Sequence, residues 1–376
     1  MKHILFLMPA MLDGGAEKVL IDILKNFDYS EYDVTLLLET EDGPYIDDIP
    51  QQVKLISFHK KNLWIERLYR YLSMCGCKGL AYFFLCKLPL LWSLRGMHFA
   101  TIISFMEGMA VKMHSYIFDK AERNISWVHI DLKKKHWSLD FFANGKEEQT
   151  CYQKMDRIVF VSQDAKTKFQ ELFHLGESKL EVLYNLIDCK TIKILSEQKA
   201  IEKSKFTICM VGRLNRQKRY DRAFEVVRKL KYNGYDFELW ILGSGELETE
   251  LKEMVETYKI DDIVSFKGFV KPVYPYVKKA DIFLNTSESE GYPLTLCEAL
   301  CLGLPIVATN ITGSNEILTN SNAGILVEED TESIYRGLKY MIDNKSFREE
   351  CAANAVDFAE TFNVQETMQR IYNLIQ

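Results

Sequence analysis

Two carboxylates eight positions apart flank a Gly-Tyr-Pro turn: Glu290 and Glu298 in "SESEGYPLTLCEALCLGLPIV" (Ser287–Val307). Pro293 is predicted at a first helical position, and "LTLCEALCLG" continues as a buried helix stopped by Gly303. On either side of Pro293, which has no N–H of its own, Gly291, Tyr292, Leu294 and Thr295 then offer unpaired backbone amides, which can hold an anion. A carboxylate beside an anion site is costly unless it accepts hydrogen bonds from hydroxyls. Sugars and ribose supply hydroxyls in pairs. Glu298 therefore reads as an acceptor for a ribose diol, and Glu290 as a contact to the hydroxyls of a transferred sugar.

Other candidates stand after apolar runs. "FTICMVG" (Phe206–Gly212) leads into "RLNRQKRYD", so Arg213 and Lys218 emerge at a strand end, where a cation pair suits a diphosphate. "LGSGELETEL" (Leu242–Leu251) places Gly243 and Gly245 after another strand, for close approach to a ligand or for a tight turn. Without the rest of a dinucleotide fingerprint, this pair counts against hydride transfer. Gly14 and Gly15 follow the first strand, where a loop approaching a ligand and a plain turn before a helix are equal readings. His129 ends "NISWVHI", and Glu107 follows "FATIISF" as a weaker candidate, with a solvated loop acid the alternative.

These residues need parallel sheets to position them. Twelve short, near-continuous apolar runs alternate with amphipathic stretches, which marks strands covered on both faces and an α/β fold of two doubly wound, Rossmann-like domains. The pattern pauses over "EVLYNLIDCKTIKILSEQKAIEKSK" (Glu181–Lys205), read as a last strand running into a charged, low-order linker. The expected domains are 1–187 and 188–362, with ligands bound in a cleft between the carboxyl ends of their strands. A length of 376 residues, 47% hydrophobic and 27% charged, suits two globular domains. The net charge of −6 disfavours nucleic-acid binding as the main task. Nine scattered cysteines suit reduced core thiols in a cytosol better than a disulfide framework. The opening "MKHILFLMPAMLDGGAEK" reads as a buried first strand rather than a signal peptide, and no run reaches the roughly 20 apolar residues of a spanning helix.

The order "GRLNRQK", "LGSGELETEL", "SESEGYPLTLCEALCLGLPIVAT" and "GSNEIL" resembles the family-4 glycosyltransferases, retaining enzymes of the GT-B fold with a Glu-x7-Glu signature. The resemblance is dense over Phe206–Val327 and thinner before it, through "GGAEKVL", "SWVH", "FVSQ" and "VLYNLID". It implies a C-terminal domain holding a nucleotide sugar, expected as a UDP-sugar, and an N-terminal domain holding a glycan or lipid-linked acceptor for cell-surface polysaccharide synthesis. It also implies that a last helix, about 363–376, returns to the N-terminal domain, that Gly14 and Gly15 approach the donor phosphate or the acceptor, and that His129 lies near the sugar. Both glutamates are then spent on hydroxyls, so a two-carboxylate hydrolase scheme fits poorly. Retaining transfer is expected instead, with the leaving diphosphate stabilised by Arg213, Lys218 and the helix amides. With no Asp-x-Asp motif, neither metal nor other cofactor is expected. A GT-B epimerase and a non-catalytic nucleotide-sugar binder are the rival readings.

His59–Gly96 differs from its surroundings: seven Lys or Arg stand against the single acid Glu66, with aromatic residues interleaved. Such a stretch suits peripheral contact with a membrane, and equally a buried helix pair with a basic outer face. The expected location is cytoplasmic, at the inner membrane face if the contact is made.

Overall fold

In the computed structural model, which describes residues 1–59, 79 and 82–376, the chain forms two compact units. Unit 1 comprises Met1–Leu186 and Gln365–Gln376, and unit 2 comprises Ile187–Val364.

Unit 1 is built on β1 (Lys2–Met8), β2 (Tyr32–Thr40), β3 (Lys54–His59), β4 (Phe99–Ser104), β5 (Ala121–Val128), β6 (Arg157–Phe160) and β7 (Leu180–Val182). They form one parallel sheet in the order β3-β2-β1-β4-β5-β6-β7. Central β1 shows why: Ile4, Leu5, Leu7 and Met8 have no exposed surface, as expected for a strand covered on both faces. Leu5, Leu7, Leu37 and Ile102 pack together on one side of the sheet. Fully burying each such side chain contributes about 1.5–3 kcal/mol.

The last helix, Val364–Ile375, lies against this sheet from Gln365 onward. Tyr372 stacks on Tyr32 with ring centroids 5.3 Å apart. Thr101 and Arg123 donate to the carbonyls of Ile375 and Leu374 at 3.0 and 2.9 Å, satisfying acceptors that a helix end leaves bare.

Unit 2 carries β8 (Thr207–Val211), β9 (Glu238–Leu242), β10 (Val264–Gly268), β11 (Ile282–Asn285), β12 (Ile306–Thr309) and β13 (Gly324–Val327). Its parallel sheet runs β10-β9-β8-β11-β12-β13. Ile208, Met210, Leu239 and Ile241 meet Phe224, Val227 and Leu338 in its core. Both sheets are therefore the doubly wound kind that the alternation of apolar runs predicts.

Two expectations are corrected here. The Glu181–Lys205 stretch is not all low-order: it contains a helix, Cys189–Ser196, whose start is capped by Asp188 accepting from the Thr191 amide at 2.9 Å. Its high charge masked an amphipathic turn that buries Ile192. Nor are all the cysteines reduced. Cys189 is joined to Cys301 across 112 residues of sequence, linking this helix to the end of helix Leu294–Cys301. Cys86, Cys151, Cys209, Cys297 and Cys351 are buried thiols outside any disulfide. A linear reading has no spacing rule for partners brought together only by the sheet. Closing so long a loop should stabilise unit 2 by about 2–4 kcal/mol. Cys189→Ser is expected to lower urea-unfolding stability by that amount, and non-reducing peptide mapping should recover the Cys189–Cys301 linkage.

Candidate functional site

The strand order of unit 2 reverses between β8 and β11, and loops leaving the carboxyl ends of such neighbours bound the crevice where open α/β sheets take ligands. After β8 the chain runs through half-buried Arg213 into a short turn, Arg216–Lys218. The Asn215 side chain caps this turn by accepting from the Lys218 amide at 3.3 Å.

The loop after β11 is laced to this turn. The Glu288 amide donates to the Gln217 carbonyl at 2.9 Å, and Gln217 Nε2 donates to the Ser289 carbonyl at 2.6 Å. The Thr286 hydroxyl donates to the Lys218 carbonyl at 2.9 Å. On this frame Lys218 Nζ meets Glu290 Oε1 at 2.5 Å, with the two side chains 18% and 12% exposed. Removing either partner would strand a mostly buried charge, at a cost on the order of 3 kcal/mol.

Backbone contacts set the remaining loops. A Cβ on Gly243, whose φ is 144°, would stand 2.0 Å from the Gly212 carbonyl oxygen, and one on Gly245 would stand 2.4 Å from that of Leu214. Contact with the loop after β8 thus supplies a reason for both glycines beyond the two left open by sequence. Gly313, with φ 78°, sits equally close to Gly291: an added Cβ would be 2.3 Å from the Gly291 carbonyl oxygen. That contact brings Ser314 beside the start of helix Leu294–Cys301.

Pro293 caps this helix rather than opening it, one position earlier than sequence predicts. Its φ of −67° suits either place, but its ψ of 109° is extended, so the helical turn begins at Leu294. The Pro293 carbonyl accepts from Leu296 at 3.1 Å, and the amides of Leu294 and Thr295 are among those a helix start leaves without intrahelical acceptors. Tyr292 and Leu294 are buried.

Four hydroxyls gather on these segments: Ser287, Ser289, Thr295 and Ser314, each with a buried oxygen that has no hydrogen-bond partner. A buried polar atom without a partner costs about 1–3 kcal/mol, so such a cluster calls for a polar ligand. Glu298, just over one turn into the helix and 5% exposed, accepts from the Tyr274 hydroxyl at 3.2 Å.

In unit 1 the order reverses between β1 and β4. Gly14 caps helix Gly15–Lys25, in which Gly15 is the first residue, and the buried Glu17 carboxylate occupies the space beside Gly14. Glu107 follows β4 and His129 follows β5. Glu107 is not the solvated loop acid sequence allows: it is 3% exposed, because it accepts from the His129 amide at 3.0 Å and bonds the Trp137 side chain. Burial raises its carboxyl from 4.5 to about 7. Burial likewise lowers His129 to about 4, keeping the imidazole neutral at physiological pH. One ring nitrogen of His129 bonds the Phe105 backbone, while Nε2 is buried without a partner.

The structure thus joins Lys218 directly to Glu290, sets Gly291 against Gly313, and keeps Arg213 at the same strand end. Gly14, Gly15 and His129 belong to the other unit. Sequence reasoning missed Asn215, Gln217, Tyr274, Ser289 and Ser314. A capping Asn after a strand was the one local signal available among them. Among the described residues, no three His, Cys, Asp or Glu side chains gather as a metal would require.

Residues 191–358 match the family described as glycosyl transferases group 1. The chain is 32% identical over 218 residues to the Campylobacter jejuni N-acetylgalactosamine-N,N'-diacetylbacillosaminyl-diphospho-undecaprenol 4-alpha-N-acetylgalactosaminyltransferase, covering 56% of this chain and 58% of that protein. It is 28% identical over 239 residues to the putative colanic acid biosynthesis glycosyltransferase WcaL of Salmonella typhimurium, covering 56% and 59%. These alignments span a little over half of each relative's length. Among solved structures, Anabaena Alr3699/HepE in complex with UDP and glucose superposes with a TM-score of 0.76 at 19% identity over 99% of both chains. WaaG, a glycosyltransferase involved in lipopolysaccharide biosynthesis, gives 0.74 at 15% over 99% of both. The fold is therefore that of GT-B glycosyltransferases: two Rossmann-like units with parallel sheets.

Gly313→Ala is expected to destabilise unit 2 by about 2 kcal/mol or more in urea unfolding, since the positive φ and the Gly291 carbonyl both oppose a Cβ. Glu107 should also leave a pH signature. Between pH 4.5 and about 7 the unfolded chain releases this proton and the native chain keeps it, so stability falls as pH rises and levels above 7. Melting curves of Glu107→Gln should lack that fall, worth roughly 3 kcal/mol at most.

Proposed function

We propose that this protein is a retaining glycosyltransferase that moves a sugar from a nucleotide diphosphate sugar, a UDP-sugar, to a glycan or lipid-linked glycan acceptor. The observation that carries the reading is the set of unpartnered hydroxyls of Ser287, Ser289, Thr295 and Ser314 around the Lys218–Glu290 pair, at the switch point of unit 2. A ligand rich in hydroxyl and phosphate oxygens would satisfy them. The group 1 match over the same residues supports a donor role for unit 2. The Campylobacter relative, a transferase acting on a diphospho-undecaprenol substrate by its name, supports a lipid-linked acceptor.

In this mechanism the diphosphate is held by Lys218, Arg213 and the amides of Gly291, Tyr292, Leu294 and Thr295. Lys218 starts paired with Glu290, so phosphate binding redistributes an existing ion pair instead of burying a lone cation. Glu290 is then available to the hydroxyls of the sugar, while Glu298, steadied by Tyr274, takes the ribose diol. As the bond from sugar to phosphate breaks, negative charge grows on the departing oxygen, where these fixed donors are aimed. The acceptor hydroxyl attacks from the same face and its proton passes to the leaving phosphate, which retains the anomeric configuration. Neutral His129 uses its unpartnered Nε2 to accept a hydrogen bond from a substrate hydroxyl. The two cations and the amides carry the charge stabilisation, so no metal is required.

Incubation with UDP-sugars and a polyprenyl-diphosphate-linked sugar, followed by NMR of the product, should give a linkage with the anomeric configuration of the donor. An inverted product, or turnover only after a metal is added, would contradict this mechanism. Lys218→Ala, which removes a donor to the leaving phosphate, and Glu290→Gln, which removes the carboxylate acceptor for the sugar hydroxyls, should each lower kcat/KM by about 100-fold or more.

A further inference from the structure

A helical stretch of unit 1 is apolar on two sides. It runs as a wide π-turn, Phe83–Lys87, continuing into helix Leu88–Ser93. Burial follows a four-residue rhythm: Tyr82, Cys86, Leu90 and Leu94 are buried with Leu5, Leu37 and Ile102. Two residues out of phase, Phe84, Leu88 and Trp92 form a second apolar row that is 53%, 43% and 78% exposed. Phe83, 43% exposed, stands edge-on to Phe84 with ring centroids 5.2 Å apart. A surface helix ordinarily presents polar side chains there, and exposed apolar residues in a row mark an interaction surface.

The charges around the row indicate what it meets. In a chain of net charge −6, residues 82–98 contain no Asp or Glu, but do contain Lys87, Arg95 and His98. Arg95 and His98 are exposed, and Lys87 lies over the Phe83 ring at 5.9 Å. Aromatic and aliphatic side chains flanked by cations match the boundary between acyl chains and anionic headgroups, where Trp is favoured. Among the described residues no helix is long and apolar enough to cross a membrane, so this one would lie in the plane of the surface.

We infer that Phe83, Phe84, Leu88 and Trp92, with Lys87 and Arg95, form a docking surface for an anionic lipid bilayer. This goes beyond the transferase reading and can fail or hold independently of it: soluble-acceptor turnover reports one, vesicle binding the other.

The test is co-sedimentation of the full chain with phosphatidylcholine vesicles, with and without phosphatidylglycerol, at low and high salt. Binding is expected to the anionic vesicles, to weaken with salt, and to fall about tenfold or more in Phe84→Ser/Leu88→Ser/Trp92→Ser. Because the altered side chains are exposed, the melting temperature should be kept. If the triple variant is misfolded, brominated lipids decide instead: they should quench the wild-type tryptophan emission but not that of Trp92→Phe, which still binds. Failure of the wild type to bind anionic vesicles overturns the inference, as does unchanged binding by a folded triple variant or quenching that persists in Trp92→Phe. A dimer in size-exclusion chromatography that the triple variant abolishes would also overturn it, assigning the row to a second copy of the chain.

Discussion

The contact between Lys218 and Glu290 organises the candidate site. An ammonium and a carboxylate this little exposed are tolerable only as a pair, and only if their backbones are held in place. That holding is visible: Asn215 caps the turn carrying Lys218, and Gln217 and Thr286 lace it to the segment carrying Glu290. The sheet order makes the lacing possible by setting β8 beside β11. The site thus owes its geometry to strand order, and its chemistry to what the two loops carry.

Strand order also explains how much could be read in advance. Apolar runs such as "FTICMVG" and "ADIFLNT" were legible as strands because a covered parallel strand is apolar on both faces whatever its neighbours. The placement of the Glu290 segment between a strand and a helix was legible too, since an apolar run precedes it and a proline followed by "LTLCEALCLG" comes after it. The direct pairing of Glu290 with Lys218 was not. Seventy-odd residues separate them, and nothing local says that a carboxylate read as a sugar contact also neutralises a lysine read as a phosphate contact.

The corrections share that cause. Cys189 and Cys301 each looked like an ordinary thiol, because the disulfide depends on two helices meeting far apart in sequence. The close backbone contacts of Gly243 and Gly245 were hidden for the same reason, because the loop they accommodate follows a different strand. For Glu107 a solvated loop acid stood open beside the weaker site reading, yet the His129 amide and Trp137 draw it inside. In the Phe83–Ser93 stretch, sequence showed the apolar side chains but could not separate the buried row from the exposed one, as both repeat every four residues.

The account is most directly tested by a crystal structure of the protein with UDP bound. It predicts diphosphate oxygens within hydrogen-bond distance of Lys218 Nζ and of the Leu294 and Thr295 amides, with the ribose on Glu298. Nucleotide bound away from the loops after β8 and β11, or phosphates that leave Lys218 still paired only with Glu290, would contradict it.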